Sequence, residues 1–271
     1  MTDLALRLLL GLVLSAAIGV FAYRRGSLTR SGVVGAVLTG TAMFGFGGLT
    51  SGLLLIAFFV TASALSHYKR RQKEAVAEKF SKGERRDLGQ TLANGGLAAL
   101  LSLALYAAPG AAPWLAAIVG ALGAVNADTW ATELGVLSRM PPRLITTFRV
   151  VEPGTSGGVS LLGTGASLAG GTLIGVLAAI LPHTGYAAGG LLLAGSLGGL
   201  AGSLFDSLLG ATVQSIYYCD TCRKETERVV HTCGTPTRRL RGWAWLDNDW
   251  VNFIASAVGA AAGTLAYGVS G

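Results

Sequence analysis

Charged side chains are scarce in this 271-residue chain. They make up 13% of its residues, against roughly 25% in an average soluble domain, while 51% are hydrophobic and the mean hydropathy is +0.55. This balance argues against a soluble domain and indicates a protein that crosses a membrane several times. Apolar runs near the ~20 residues needed to span a bilayer lie at 4–22, 31–47, 49–66, 91–108, 114–136, 161–181, 187–213 and 250–269.

We therefore predict an all-α polytopic membrane protein, in which residues 1–271 form a single transmembrane domain of about eight helices. The second run, 31–47, is the shortest, and it either spans the bilayer or re-enters on one side. Forty glycines suit such a bundle, because lipid supplies no hydrophobic drive between helices and small residues let their backbones approach.

Charge is also missing from three of the seven connections between these helices. Twenty of the 21 Lys and Arg residues fall in four segments, Arg24–Arg30, Lys69–Arg86, Arg139–Arg149 and Arg223–Arg241, whereas "FGFGGL", "APGAAP" and "LPHTG" carry no Lys, Arg, Asp or Glu. Eight alternating helices put the basic segments on one face and both termini on the other. Since Lys and Arg near helix ends stay cytoplasmic, we expect that face on the cytoplasmic side of the cell (plasma) membrane. The net charge of +7 then describes a surface for anionic lipids or substrates and not a nucleic-acid binder.

Two of the cytoplasmic segments are long enough to have structure of their own. Residues 67–90 predict a basic helical arm, although a solvated arm on the membrane surface fits the same residues. Residues 214–248 form a loop that contains all three cysteines and one histidine.

The stretch "AVNADTWATELG" puts two carboxylates inside the fifth predicted helix. A charge near the bilayer centre costs at least about 2.5–3.5 kcal/mol, so an intramembrane carboxylate indicates a functional site. Helical spacing places Asn126 and Glu133 on one face and turns Asp128 well away from it, unless the backbone unwinds near Asn126. The seventh helix adds Asp206.

Polar residues also open two other predicted helices. Gln90 and Asn94 lie at the start of the fourth helix and Asn252 lies near the start of the eighth. Four helices thus offer oxygen ligands to one cytoplasmic cavity, and carboxylates with amide oxygens suit Mg²⁺ or Mn²⁺, which typically bridge to substrate phosphates. Interhelical hydrogen bonds with protonated carboxylates, or a proton relay, are the alternatives that these residues leave open.

The connection after the fifth helix reads "TTFRVVEPGTSGGVSLLGTGAS". Glycines with Thr155 and Ser156 ahead of an apolar helix form a flexible set of backbone N–H groups that suits a phosphate, and Arg149 adds a bidentate anion contact. The loop is not a Walker A motif, since no Lys follows its glycines. A glycine-rich entrance to a tightly packed helix is the other interpretation.

The cysteines have the spacing Cys219-x2-Cys222-x8-His231-x-Cys233. Three thiolates and one imidazole suit a tetrahedral Zn²⁺ site, and a disulfide is not expected on the reducing cytoplasmic side. The spacing is shorter than that of zinc fingers, so free thiols remain the alternative. Four protein ligands leave no open position, so such a zinc would hold the loop together without catalysing.

Five segments together resemble one known family: "RRDLGQTLANGG", "GAVNADTWATELGVLS", "ITTFRVVEPGTSGGVSLLGTGAS", "GSLFDSLLGATVQ" and "LDNDWVNF". They are similar to the integral-membrane family that includes the phytyl-phosphate kinase of plant and cyanobacterial vitamin E synthesis. The resemblance implies an isoprenoid-lipid kinase. Such an enzyme transfers a phosphoryl group from CTP or another nucleoside triphosphate to an isoprenyl monophosphate of the phytyl or geranylgeranyl type, giving the diphosphate.

The resemblance carries over to the motif-bearing positions as expected site residues. These are Gln90, Asn94, Asn126, Asp128, Glu133, Glu152, Ser156, Asp206, Asp247, Asn248 and Asn252. We assign catalysis to Asn126 and the three acids Asp128, Glu133 and Asp206, which would hold Mg²⁺. Phosphate binding falls to the remaining positions and to Lys79, Arg86, Arg149, Gly154, Thr155, Gly157 and Gly158. A phosphate nucleophile is already ionised and needs no general base. The cysteine-histidine segment is absent from the plant-type pattern, which leaves the substrate of this branch open.

A transporter or flippase of a lipid phosphate is the main rival, since it would use the same basic face and intramembrane acids. Alternating access predicts a polar path to the outer face, whereas the acids here cluster toward one side. A lipid-phosphate cytidylyltransferase would differ from a kinase in the mass of its product. The sequence leaves tail length, nucleotide and homo-oligomerisation open.

Overall fold

The computed structural model describes residues 2–77, 79, 85–111 and 113–270, the side chains of residues 2 and 74–77 excepted. Its helices are α1 (Thr2–Arg24), α2 (Arg30–His67), α3 (Arg70–Ala77), α4 (Leu88–Ala107), α5 (Trp114–Gly135), α6 (Leu161–Ile180), α7 (Ala188–Thr212) and α8 (Asn248–Val269). Its strands are β1 (Arg143–Leu144), β2 (Gly158–Val159), β3 (Ile216–Cys219), β4 (Lys224–Thr226) and β5 (Arg238–Arg241). The predicted helical, polytopic architecture is confirmed.

Six of the described helices are long and apolar enough to cross a membrane, namely α1, α2, α4, α6, α7 and α8. Helix α5 is not among them, because its second half carries Asn126, Asp128 and Glu133. Helix α2 covers two of the predicted runs, 31–47 and 49–66. The total of eight spans, and the side on which the termini lie, remain predictions.

Helix α2 folds back on itself at Gly48. This residue has φ 76° and ψ −172°, a conformation that glycine adopts without strain, and it interrupts the helix. A straight helix of 38 residues would be about 57 Å long. Thr29, just before α2, and Ser63, near its end, nevertheless both hydrogen-bond to Arg86. The two halves therefore run antiparallel.

Helix α5 is the centre of the bundle. It packs against α2, α4, α6, α7 and α8, and every residue from Leu115 to Ala127 is buried. Glycine makes the close approaches: a Cβ on Gly120 would collide with the carbonyl oxygen of Gly259. Small residues thus let the helix backbones touch, as expected for packing within lipid.

The basic segments meet at one end of the bundle. The backbone N–H of Arg86 donates to Ser27 in the α1–α2 turn at 3.0 Å. Lys79 forms an ion pair with Glu152 in the α5–α6 connection at 2.8 Å, and its carbonyl accepts from the N–H of Glu227 at 2.9 Å. The arm at 67–90 thus joins the other basic connections, although residues 78 and 80–84 of it lie outside the described part. Within the arm, α3 is the described helix.

Two small sheets lie in the connections at this end, which the all-α prediction did not include. Strands β1 and β2 pair antiparallel between α5 and α6, and β4, β3 and β5 form a three-stranded antiparallel sheet within residues 214–248. Such open sheets are compatible with a membrane protein only outside the hydrocarbon region, where water satisfies their edges.

Candidate functional site

A cavity of about 510 Å³ opens at the basic end of the bundle, between α2 to α8 and the two long connections. Most of the residues predicted for the site line it. These are Arg86, Gln90, Asn94, Asp128, Glu133, Gly154, Thr155, Ser156, Gly157, Gly158, Asp206, Asn248 and Asn252. The structure therefore gathers side chains from four helices and the glycine-rich loop into one place.

Three carboxylates form an acidic group in this cavity: Asp128 on α5, Asp206 on α7 and Glu227 in the loop after β4. Each lies within electrostatic range of the other two. Asp206 Oδ2 is buried and has no hydrogen-bond partner among the described residues. An acidic group with a bare buried oxygen needs a cation or protons to offset its charge.

Glu133 lies apart from the acidic group. Its carboxylate forms an ion pair with Lys73, whose Nζ lies 2.5 Å from Oε2, and its charge also acts on Arg86. The helical spacing predicted Glu133 and Asp128 on different faces of α5. Because the cavity curves around the end of this continuous helix, both residues line it all the same.

Arg86 is held between the α1–α2 turn and α2. Its guanidinium donates to Ser63 at 3.4 Å and lies over the ring of Phe59, 5.9 Å from the centroid. Burial lowers the pKa of Arg86, and the charge of Glu133 opposes that shift. A guanidinium keeps its charge even so, so Arg86 brings a fixed positive charge to the cavity wall.

The glycine-rich loop is tied to the acidic group by a chain of side chains. Ser156 Oγ donates to Gln214 Oε1 at 2.7 Å, and Gln214 Nε2 donates to Glu227 Oε1 at 2.9 Å. The N–H groups of Thr155 and Gly158 bond to carbonyls within the loop. In this conformation those two N–H groups are occupied, so the loop offers a phosphate fewer donors than the sequence predicted.

Five predicted site residues are not among those that line the cavity. Asn126 is fully buried, accepts from Thr61 and donates to the carbonyl of Gly170, so it joins helices. Asp247 accepts from two backbone N–H groups and caps α8. The remaining three are Arg149, which is exposed, and the pair Lys79 and Glu152.

The Lys79–Glu152 pair joins a largely covered lysine to an exposed carboxylate near the cavity. The hydrogen bond from Lys79 lowers the pKa of Glu152. Lys79 also donates to the carbonyl of Pro153 at 3.1 Å. The pair thus holds the arm against the glycine-rich loop.

A second, apolar cavity of about 70 Å³ adjoins the first. It lies between α1, α2 and α4, and its walls include Ile18, Phe44 and Leu55. Three residues, Arg86, Gln90 and Asn94, line both cavities. Asn94 Oδ1 is buried there without a hydrogen-bond partner among the described residues. A polar cavity and an apolar one thus share one wall.

The cysteines and His231 form a compact cluster at the edge of the three-stranded sheet. The ligand atoms of Cys219, Cys222, His231 and Cys233 all lie within 4.8 Å of one another. Hydrogen bonds involving Thr235 lower the pKa of Cys233 to about 6, while Cys233 itself, through a hydrogen bond, raises the pKa of Cys222 to about 11. The predicted set of ligands therefore does come together.

Several cavity residues escaped the sequence prediction, among them Lys73, Glu227 and Gln214. Lys73 is one of eight basic residues in the arm, and the sequence does not distinguish it from its neighbours. Glu227 lies in the cysteine-containing loop and belongs to no motif, whereas Gln214 ends the quoted segment "GSLFDSLLGATVQ" but was not singled out as a site residue. They reach the cavity because the sheet folds back over α7, where Arg241 Nη1 donates to the carbonyl of Gly210 at 2.6 Å.

Comparisons with known proteins give this chain its family. A family model described as integral membrane protein DUF92 matches residues 13–260. The chain is 35% identical over 270 residues to Protein PGR of Arabidopsis thaliana, covering 92% of each chain. It is 31% identical to an uncharacterised membrane protein of Methanocaldococcus jannaschii, covering 97% of this chain and 95% of that one.

A further relative is Protein VTE6, chloroplastic, of Arabidopsis thaliana, with 31% identity over 86% of this chain and 63% of that protein. No solved structure matches the chain. The family match spans most of the sequence and agrees with the resemblance drawn from its motifs. The chain therefore belongs to the DUF92 family of integral membrane proteins.

Proposed function

We propose that this chain is a membrane-embedded kinase that phosphorylates an isoprenyl monophosphate to the diphosphate. CTP or another nucleoside triphosphate is the phosphoryl donor, and the acceptor carries a phytyl or geranylgeranyl type of tail. The observation that carries the proposal is the wall shared by a charged cavity and an apolar one. An isoprenyl phosphate has the same division between a dianionic head and an apolar chain.

The basic residues of the cavity provide for two phosphate-bearing substrates. Lys73 and Arg86 line it together with Arg70 and Arg228, so positive charge surrounds the space on the arm side and on the loop side. Arginine binds phosphate through paired donors and lysine as a point charge. A nucleotide triphosphate and a lipid monophosphate together carry more negative charge than either alone, and these residues oppose it.

The acidic group suits Mg²⁺ or Mn²⁺. Asp128, Asp206 and Glu227 are the residues that would hold the ion, and the unpartnered Asp206 Oδ2 is a ready ligand. Mg²⁺ commonly binds through one or two carboxylates plus substrate phosphates. When bound, it supplies charge neutralisation at the transferring phosphoryl group.

The chain's own residues position the reactants for in-line transfer. An oxygen of the lipid monophosphate attacks the γ-phosphorus, the bond from that phosphorus to the oxygen of the nucleoside diphosphate breaks, and the diphosphate leaves. The attacking oxygen is ionised beforehand, so no residue has to remove its proton. Positioning and charge stabilisation account for most catalysis of this kind, and Arg86 is placed to contribute both.

The apolar cavity favours an enzyme acting on an amphiphile over a transporter. Alternating access needs a polar path toward the opposite end, yet the first half of α5, from Leu115 to Val125, is buried and made of apolar or small residues. The polar residues of the cavity all lie toward the basic end. A lipid phosphate held at one end can react there without crossing the membrane.

We also propose that the cavity faces the cytoplasm from the cell membrane. Basic segments favour the cytoplasmic side. Trp243, Trp245 and Trp250 form an exposed cluster of rings at the same end, and tryptophan typically lies at the level of the lipid headgroups. The cavity mouth would then lie at the membrane surface, where nucleotides are available.

The test is turnover by purified protein in detergent with Mg²⁺, CTP or ATP, and phytyl or geranylgeranyl monophosphate, followed by mass spectrometry of lipids and nucleotides. The proposal expects an isoprenyl diphosphate with release of CDP or ADP. A cytidylyl-lipid with release of pyrophosphate would identify a cytidylyltransferase instead. Intact nucleotide across several tail lengths would contradict a kinase, and transport of the lipid in proteoliposomes would then support the rival.

A further inference from the structure

Two tight turns in the 214–248 loop each present a pair of ligands to the same point. In the first, the backbone N–H of Cys222 donates to Cys219 Sγ at 3.5 Å, and Arg223 after it has φ 55°. In the second, the N–H of Cys233 donates to His231 Nδ1 at 3.4 Å, and Gly234 has φ 83°. Each turn thus ends in a left-handed residue that reverses the chain.

The separation of two of the sulfur atoms matches that of a tetrahedral zinc site. Cys219 Sγ lies 3.7 Å from Cys233 Sγ, and a zinc–sulfur bond of ~2.3 Å in tetrahedral geometry predicts about 3.8 Å. His231 Nδ1 lies 3.2 Å from Cys233 Sγ. The three cysteines are free thiols, and the sulfur separation is far beyond a disulfide bond of ~2.05 Å.

We propose that Cys219, Cys222, His231 and Cys233 bind one structural Zn²⁺, and that this ion fixes the part of the cavity wall that carries Glu227. Three thiolates and one imidazole in tetrahedral arrangement favour zinc. All four positions are filled by the protein, so the ion leaves no site for water or substrate. Its role is mechanical.

The chain between the two ligand pairs gives the ion its connection to the cavity. Residues 223–230 join Cys222 to His231, and within them Glu227 and Arg228 line the cavity. Glu227 accepts from Gln214 at 2.9 Å, and its N–H donates to the carbonyl of Lys79 at 2.9 Å. With zinc bound, both ends of this short segment are attached to one ion, which restricts the positions that Glu227 can adopt.

Metal content tests the zinc site without reference to any activity. The zinc proposal therefore fails or succeeds independently of the proposed kinase function. We would purify the full chain in detergent without added metal and measure metals by mass spectrometry. One zinc per chain is expected in the wild type and in His183→Gln, which removes a histidine outside the cluster. Cys219→Ser and His231→Ala should lose it, whereas His231→Cys, which restores a fourth ligand, should retain it.

Thiol reactivity gives a second measurement that does not depend on the variants folding. All three cysteines of the chain belong to the cluster. Every thiol that reacts with a thiol reagent is therefore one of the proposed zinc ligands. Wild-type protein should react slowly until a chelator is added, then release zinc as three thiols react. Zinc-free protein with immediately reactive thiols, or iron in place of zinc, would overturn the assignment.

Limited proteolysis tests the coupling to the cavity wall. Trypsin sites at Arg223, Lys224 and Arg228 lie in the segment held between the ligands, and chelation should raise cleavage there by about tenfold. Cleavage at Arg139, outside the loop, serves as the internal control and should not change. If zinc removal left the rate of cleavage in the loop unchanged, as it should leave the rate at Arg139, the positioning role would be contradicted.

Discussion

Lys73 and Glu133 form an ion pair in the cavity wall, with Nζ 2.5 Å from Oε2 and side chains that are 11% and 22% exposed. The ammonium also donates to the carbonyl of Leu65 at 2.6 Å and to that of Ser66 at 3.3 Å. One side chain thus connects α3 to the end of α2 and to the end of α5. The arm is held over the cavity by this contact.

Replacing one member of the pair should lower the free energy of unfolding far more than replacing both. We expect Lys73→Met to lower the free energy of unfolding by about 3 kcal/mol, since it leaves Glu133 as an unpaired, mostly buried charge. The double variant with Glu133→Gln should lie within about 1 kcal/mol of the wild type. A double-mutant cycle on unfolding in mixed micelles measures this. Simple additivity of the two single changes would contradict the stabilising role of the pair.

Gly157 is required by the backbone of the glycine-rich loop. It has φ 83°, and a Cβ there would lie 2.5 Å from the backbone nitrogen of Ala211. Gly157→Ala should therefore cost about 1–3 kcal/mol and displace Ser156, raising the KM for nucleotide. Gly165 on α6 has open space around it, so Gly165→Ala should leave KM unchanged. If the two variants had the same KM for nucleotide, the glycine-rich loop would not belong to the site.

The apolar cavity should select the lipid tail. Ala36 lines it, and Ala36→Phe fills space that the first part of a tail would occupy. We expect KM for geranylgeranyl monophosphate to rise about tenfold, with kcat nearly unchanged and a short-tailed substrate little affected. Leu38 lies on the same helix and is 57% exposed, so Leu38→Phe is the control. A rise in KM for both variants would point to a general packing defect.

The proposed Mg²⁺ and Zn²⁺ ions should differ in how readily a chelator removes them. Activity should vanish with EDTA and return with Mg²⁺ or Mn²⁺, because the acidic group and substrate phosphates hold that ion in an open, hydrated site. The zinc should survive a brief EDTA treatment that removes Mg²⁺, since its four ligands enclose it. Kinetics and metal analysis on the same sample decide this. Full activity without any divalent cation would contradict the role of the acidic group.

The sequence predicted the bundle well because spans leave a strong composition signal. The predicted boundary between the runs 31–47 and 49–66 coincides with the break at Gly48, since a glycine between two apolar stretches allows a reversal that no other residue permits as easily. Helix α5 was predicted as a span from the run 114–136, yet it is not among the six described helices apolar enough to cross a membrane. Its carboxylates reduce its apolarity although it lies at the centre of the bundle.

The details of the site depend on contacts that periodicity cannot give. Helical spacing grouped Glu133 with Asn126, yet one pairs with Lys73 and the other bonds to Gly170 across helices. Glu227 joins Asp128 and Asp206 only because the sheet of the 214–248 loop folds over the cavity. The cysteine-histidine set was found in advance, because metal-ligand spacing is a local property of the chain.

The most direct test compares Asp206→Asn with Asp220→Asn for formation of isoprenyl diphosphate. Asp206 Oδ2 is buried in the acidic group without a partner among the described residues, whereas Asp220 is an exposed partner of Arg238. The account predicts that Asp206→Asn folds, keeps its zinc and loses about 100- to 1000-fold in kcat, while Asp220→Asn matches the wild type. Diphosphate formation at the wild-type rate by Asp206→Asn would contradict the assignment of this cavity as the site of phosphoryl transfer.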